Sequence, residues 1–125
     1  METNYLSLDK LEAYQLAREL SHFAWQVYEK LNWEDKKIMG YQFVESTDSV
    51  GANIAEGYGR FHYLEKAKFY YNARGSLLES RHWLDLLVER DKLLKTDKSE
   101  YIDIYKNSRP MLNGLIRAIH KQKNI

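Results

Sequence analysis

Within Ser49-Val50-Gly51-Ala52-Asn53-Ile54-Ala55-Glu56-Gly57-Tyr58-Gly59-Arg60, two rows of side chains share the surface of one helix. At about 100° per residue, Phe43, Thr47, Val50, Ile54 and Tyr58 fall along one side, while Ser49, Asn53, Glu56 and Arg60 fall along another. One helix therefore shows two working faces. Gly57 and Gly59 supply permissive backbone on which the helix can stop and the chain reverse. No stretch of period two competes with this pattern, and no internal repeat is evident.

The same period recurs on either side. Over 9–31, Ala13, Ala17, Leu20, Ala24, Val27 and Leu31 form a stripe, opened by Asp9-Lys10-Leu11-Glu12 with the spacing of a capping box. Leu16, Phe23 and Trp25 widen that stripe, so this first helix is expected to meet more than one neighbour. Asn32 reads as its C-cap, and Glu34 and Asp35 suit the positive end of a second helix over 34–58. The third helix, over 62–93, carries Tyr70, Ala73, Leu77, Leu84 and Val88, with Leu87 alongside. A second ridge on it, formed by Leu64, Tyr71, Gly75 and Leu78, lies about 100° or more around. The ridge reads either as a wide intramolecular contact or, since exposed apolar ridges usually find partners, as a subunit interface.

Lys95-Thr96-Asp97-Lys98-Ser99 makes a short polar link, and Asp97 with Glu100 repeats the capping-box spacing. The fourth helix carries Tyr101, Ile102, Tyr105, Leu112, Leu115, Ile116 and Ile119. Pro110 lies inside it and has no N–H for the Lys106 carbonyl, which predicts a kink or a local break. Four long helices with short connections predict a single domain over 1–125, an all-α, antiparallel up-and-down four-helix bundle.

Composition narrows the function classes. Nineteen basic against eighteen acidic side chains leave a net charge of +1, so any basic site has to be local. The chain has no cysteine, which excludes disulfides, thiolate metal sites and a cysteine nucleophile. Met1-Glu2-Thr3-Asn4-Tyr5 has no leader character, and no run approaches the ~18 apolar residues of a membrane span. A cytoplasmic protein with no membrane partner is the expectation.

Catalytic templates fare poorly. Glu19 with His22 and Glu79 with His82 have the Glu-x-x-His spacing of di-metal carboxylate bundles. With Leu20 and Leu77 pointing inward, however, all four side chains point about 100° to 200° away from the bundle axis. The two pairs also sit at different heights, so a di-metal enzyme is the remote alternative, and neither a metal nor a cofactor is expected. Phosphate-loop, zinc-protease and nucleophile-elbow patterns are absent, and Ser46, Ser49, Ser76 and Ser80 have no identifiable base beside them.

Two basic features remain. Arg74 and Arg81 lie about 40° to 60° from Leu77 and so flank the core, where each guanidinium needs a partner; Glu56 is one candidate, and Glu56 with Arg60 is itself a favourable i, i+4 pair, so a structural polar network is the expectation and a ligand or nucleic-acid contact the alternative. The last helix ends in Lys106, Arg109, Arg117, His120, Lys121 and Lys123, with no acid after Asp103. These residues complement the negative helix end. Lys106, Arg109, Arg117, Lys121 and Lys123 are also the candidate nucleic-acid contacts, salt-dependent and indifferent to sequence.

Ser49-Val50, then Asn53-Ile54-Ala55-Glu56-Gly57-x-Gly59-Arg60, then Ala73-Arg74-Gly75-Ser76-Leu77-x-Glu79, resemble the signature of the bacterial 23S ribosomal RNA intervening-sequence proteins. Looser similarity runs through Leu11, Tyr14, Ala17, Leu20, Tyr28 and Gln42. The resemblance implies an up-and-down bundle that assembles into a homo-oligomeric ring, typically a homopentamer, with no established enzymatic activity. A similar bundle is the accessory protein of diversity-generating retroelements, which makes RNA, DNA or a nucleic-acid enzyme the implied partner. By carry-over, Asn53, Glu56, Gly57, Gly59, Arg60, Arg74, Gly75, Ser76 and Glu79 are structural and interface positions, to which the ridges above add Ser49, Tyr71 and Leu78. The chain departs from the pattern at Val44 and Glu45, where the family often has basic residues, and at Gly51, where it often has proline. The combined expectation is a non-catalytic, self-associating scaffold or adaptor, with a nucleic-acid-binding accessory protein as the alternative.

Overall fold

Short sequence breaks separate four helices in a computed structural model that describes residues 7–123; the stretch 1–5, read for a leader, and the Lys123 side chain lie outside the description. A 3₁₀ turn, Leu8–Lys10, leads into α1 (Glu12–Lys30). The next rod, α2, joins an α-turn Trp33–Asp35, a π-helical turn Lys36–Gly40 and the α-helix Tyr41–Gly59. Helix α3 is Tyr63–Glu89 and α4 is Lys95–Lys123. Among the described residues there is no strand, and the fold is all-α.

The helix ends differ from the sequence reading in ways local hydrogen bonding explains. Leu11, not Asp9, stands at the N-cap of α1, and the Asp9 backbone carbonyl accepts a hydrogen bond from the Gln15 side-chain amide at 2.9 Å. Asn32 starts α2 instead of ending α1: its Oδ1 accepts the Asp35 N–H at 2.8 Å. Helix α1 has already closed, through the Leu31 N–H on the Tyr28 carbonyl. Helix α3 stops short of residue 93 because Asp91 adopts φ 60°. The Lys92 N–H then reaches back to the Leu87 carbonyl at 2.8 Å and the Asp91 N–H to that of Val88 at 3.0 Å, the paired bonds of a Schellman ending. Helix α4 begins two residues before Asp97, which therefore lies in its first turn. Pro110 does not break α4, which continues through it.

Helix α1 lies against α2 and α4, and α3 against the same two, so the four apolar stripes share one core. Leu20, Phe43, Ile54, Leu77, Leu84 and Leu87 are fully buried. Each side chain of this kind contributes about 1.5–3 kcal/mol by leaving water. Along α3 and α4 the side-chain partners are Tyr71 with His120, Arg74 with Asn113, Ser80 with Tyr101, and Asp85 with Lys98. Residue numbers rise on one helix as they fall on the other.

One polar chain crosses this core. The Tyr101 hydroxyl donates to Ser80 Oγ at 2.5 Å, and Ser80 Oγ donates in turn to the Leu77 carbonyl at 2.7 Å. Thr47 Oγ1 lies 3.4 Å from the same phenol oxygen, so α2, α3 and α4 meet at one side chain. Phe23 and Phe43 flank the Tyr101 ring, each with its centroid 5.4 Å away. Burial pushes the Tyr101 phenol up to about 12, which keeps it neutral.

Candidate functional site

The polar row of α2 is held by short-range bonds. Asn53 Nδ2 donates to the Ser49 carbonyl at 2.8 Å, and Arg60 reaches Glu56 at 2.8 Å, the pair expected from their spacing. Arg60 also lies over the Phe69 ring, 5.0 Å from its centroid. The two glycines that follow do not work by left-handed backbone, since no glycine among the described residues has a positive φ. Instead Gly57 leaves room: a Cβ there would stand 2.6 Å from Tyr70 Cε1 and 3.2 Å from the Lys66 carbonyl. The glycine lets α2 and α3 approach closely just before the chain turns. Gly59 is exposed, with nothing within 4 Å of a Cβ built there. Lys66, from the first turn of α3, donates to the Gly57 and Tyr58 carbonyls at 3.1 and 3.0 Å. Its ammonium thereby caps the negative end of α2, while burial pulls its pKa below the ordinary lysine value.

The second motif, on α3, divides between an inner and an outer side. Arg74 does not pair with Glu56; its Nη1 donates to Asn113 Oδ1 on α4 at 3.1 Å, and its guanidinium covers the Tyr71 ring at 4.9 Å. The Tyr71 hydroxyl is 2.6 Å from His120 Nε2. Ser76 is half-buried, whereas Gly75 is open, with no atom within 4 Å of a Cβ there. Leu64, Tyr71 and Leu78 are 65%, 40% and 52% exposed. Glu79 is exposed and accepts a hydrogen bond from Trp83 Nε1 at 3.1 Å. Its would-be metal partner His82 is exposed as well, as are Glu19 and His22 on α1. Among the described residues no group of three His, Cys, Asp or Glu side chains could hold a metal ion.

The basic residues of α4 also divide. Lys106, Arg109 and Arg117 line one groove of about 500 Å³ together with Arg81 from α3, while Lys121 is exposed and is not among its lining residues. Arg81 donates to Asp85 at 3.3 Å, and Lys98 reaches the same carboxylate at 3.0 Å. Burial pushes the Asp85 carboxyl up, but the hydrogen bonds and charges of Lys98 and Arg81 outweigh it and hold the group below the usual carboxylate range. The sequence reading placed Arg81 at the edge of the core and did not join it to the α4 cations. The available signal was the spacing of Lys106, Pro110, Asn113 and Arg117 on one side of α4.

Comparison with known proteins bears on the chain as a whole. A family model described as 23S rRNA-intervening sequence protein matches residues 9–114. A crystal structure from Bacteroides thetaiotaomicron, described as a protein with unknown function from the S23 ribosomal protein family, superposes with a TM-score of 0.78 at 20% identity. The match covers 84% of this chain and 98% of that one, and at such low identity it speaks for the fold alone. No curated protein matches the chain. None of its helices is long and apolar enough to cross a membrane, among the described residues.

Proposed function

The chain belongs to the 23S rRNA-intervening sequence protein family, and from that premise we propose that it acts without catalysis, as a scaffold whose copies meet along the outer ridge of α3. The observation that carries this reading is the exposure of Leu64, Tyr71 and Leu78, spaced by seven residues. Seven residues bring a helix back to nearly the same face, so the three side chains make a continuous apolar seam. Gly75 lies within that seam and leaves room for a neighbouring backbone. A seam of this length left in water would invite association.

The same proposal includes an antiparallel, up-and-down course, which the opposed numbering of the α3 and α4 partners supports. Closure into a ring, with five copies as the family resemblance implies, and residence in the cytoplasm complete it. A non-catalytic role is supported by Ser46 and Ser80, whose buried hydroxyls are committed to backbone carbonyls.

Light scattering on the purified protein at micromolar concentration tests the reading. The wild type should run as a multiple of its 14.9 kDa chain, and Leu78→Asp should shift it to the single-chain mass with its helical circular dichroism intact. A wild type that stays at 14.9 kDa would remove the scaffold reading.

A further inference from the structure

We infer that the cavity beneath the turn from α2 into α3 binds a small carboxylic acid with an apolar body, its carboxylate held by Lys66 and the Tyr70 hydroxyl. This proposal stands apart from self-association, because none of the residues lining the cavity belongs to the α3 seam.

The turn from α2 into α3 and the last turns of α4 border a cavity of about 580 Å³, within the size range of small-molecule sites. Tyr70 forms part of its wall, and Gly57 leaves the room that the Tyr70 ring occupies. Tyr70 is only 2% exposed, yet among the described residues its hydroxyl makes no hydrogen bond to the protein. Every side-chain polar atom sealed from water among the described residues does have a partner. The Tyr70 hydroxyl is therefore not sealed in, and the cavity is the space that its residue lines. Burial pushes this phenol up to about 12, so it stays protonated and able to donate. A buried hydroxyl without a protein partner carries a penalty that an acceptor placed in the cavity removes.

The other lining groups decide what kind of ligand fits. Lys66, one turn before Tyr70 on the same face of α3, gives two of its N–H groups to the Gly57 and Tyr58 carbonyls and keeps a third. Arg60 is in the wall as well, but Glu56 matches its charge at 2.8 Å. The site thus presents one uncompensated positive charge, itself beside the negative end of α2, and no carboxylate lines it. That balance suits a single negative charge and leaves a phosphate, with its charge of about −1.5 to −2, under-compensated. Leu115, Ala118 and Ile119 add hydrocarbon from α4, and Phe61, 90% exposed, stands at the rim. A bare inorganic anion covers none of that surface, whereas an aryl or alkyl chain attached to the carboxylate does.

The test is titration of the purified protein with phenylbutyrate at neutral pH, followed through the backbone amide signals of Gly57 and Gly59 in proton–nitrogen correlation NMR spectra. Wild type should show saturable shifts with a Kd of about 1 mM or tighter. Phenylbutanol, the same body without the charge, and acetate, the charge without the body, should each bind at least ~10-fold more weakly. Phenylbutyl phosphate should bind no tighter than the carboxylate. Tyr70→Phe keeps the ring beside Gly57 and removes only the hydroxyl, so it should weaken phenylbutyrate binding about 10-fold. Ala118→Trp, at an exposed position of α4, fills the cavity and should abolish binding with the helical circular dichroism intact. Leu78→Asp, outside the cavity, should bind like wild type, which keeps this result separate from that of assembly. No saturable shift in wild type, equal affinity for the alcohol, tighter binding of the phosphate, or unchanged affinity in Tyr70→Phe or in Ala118→Trp would each overturn the proposal.

Discussion

Adding one methyl group at Gly57 or at Gly75 asks opposite things of the molecule. At Gly57 the new carbon would meet the ring of Tyr70, itself buried, and the Lys66 backbone, so neither neighbour can step aside cheaply. Gly57→Ala should therefore lower stability by about 1–3 kcal/mol, read from urea denaturation. At Gly75 there is open space, and replacing a mid-helix glycine should stabilise an isolated chain by about 0.5–1 kcal/mol. If copies meet there, Gly75→Ala raises the melting temperature of dilute protein yet weakens association in light scattering. A third residue fixes the interior. Tyr101→Phe removes the hydroxyl that faces both Ser80 and Thr47, and should cost about 1–3 kcal/mol because Thr47 is left without a buried partner.

Between α3 and α4 the element-level question is how charge is handled at the edge of the core. Asp85 links the two helices through Lys98 and also takes Arg81 from its own helix. Its folded-state pKa lies below the ordinary carboxylate value, so the stabilisation it brings is present above the unfolded-state pKa and disappears as pH falls through the lower, folded-state one. Asp85→Asn should cost no more than about 1 kcal/mol at neutral pH, since water screens the pair, and the difference from wild type should vanish in acid. Thermal melts from pH 7 downward check the sign. Helix α2 raises a different matter. Its π-helical turn at Lys36–Gly40 places Gly40 against Tyr28 of α1 and against Leu31 just beyond its end, where a Cβ would stand 2.9 Å from both side chains. An extra residue per turn is a register adjustment that no apolar period announces.

For the molecule as a whole, the surfaces left outside the core include an apolar seam on α3 and a cationic groove beside α4. Leu78→Asp addresses assembly at the seam and leaves the groove cations of α4 in place.

Periodicity was enough to place the four helices and most of their inward stripes, because a period of 3.6 residues is a property of one element and needs no partner to be read. It was also enough to set Thr47, a polar residue, on an apolar stripe and Tyr101 on another. Contacts between elements were not legible in that way. Arg74 found Asn113, 39 residues on, instead of Glu56, and Arg81 came to share a groove with Arg109 and Arg117. Gly57 proved to be a matter of space against Tyr70 and not of backbone freedom. Helix ends fell in between: Asn32, Asp91 and Asp97 are each sound end-forming residues, and which end each serves depends on hydrogen bonds that compete within a residue or two. Stripes follow from the chain's own geometry, whereas pairings follow from how helices are brought together, and only packing in three dimensions selects among partners of equal local merit.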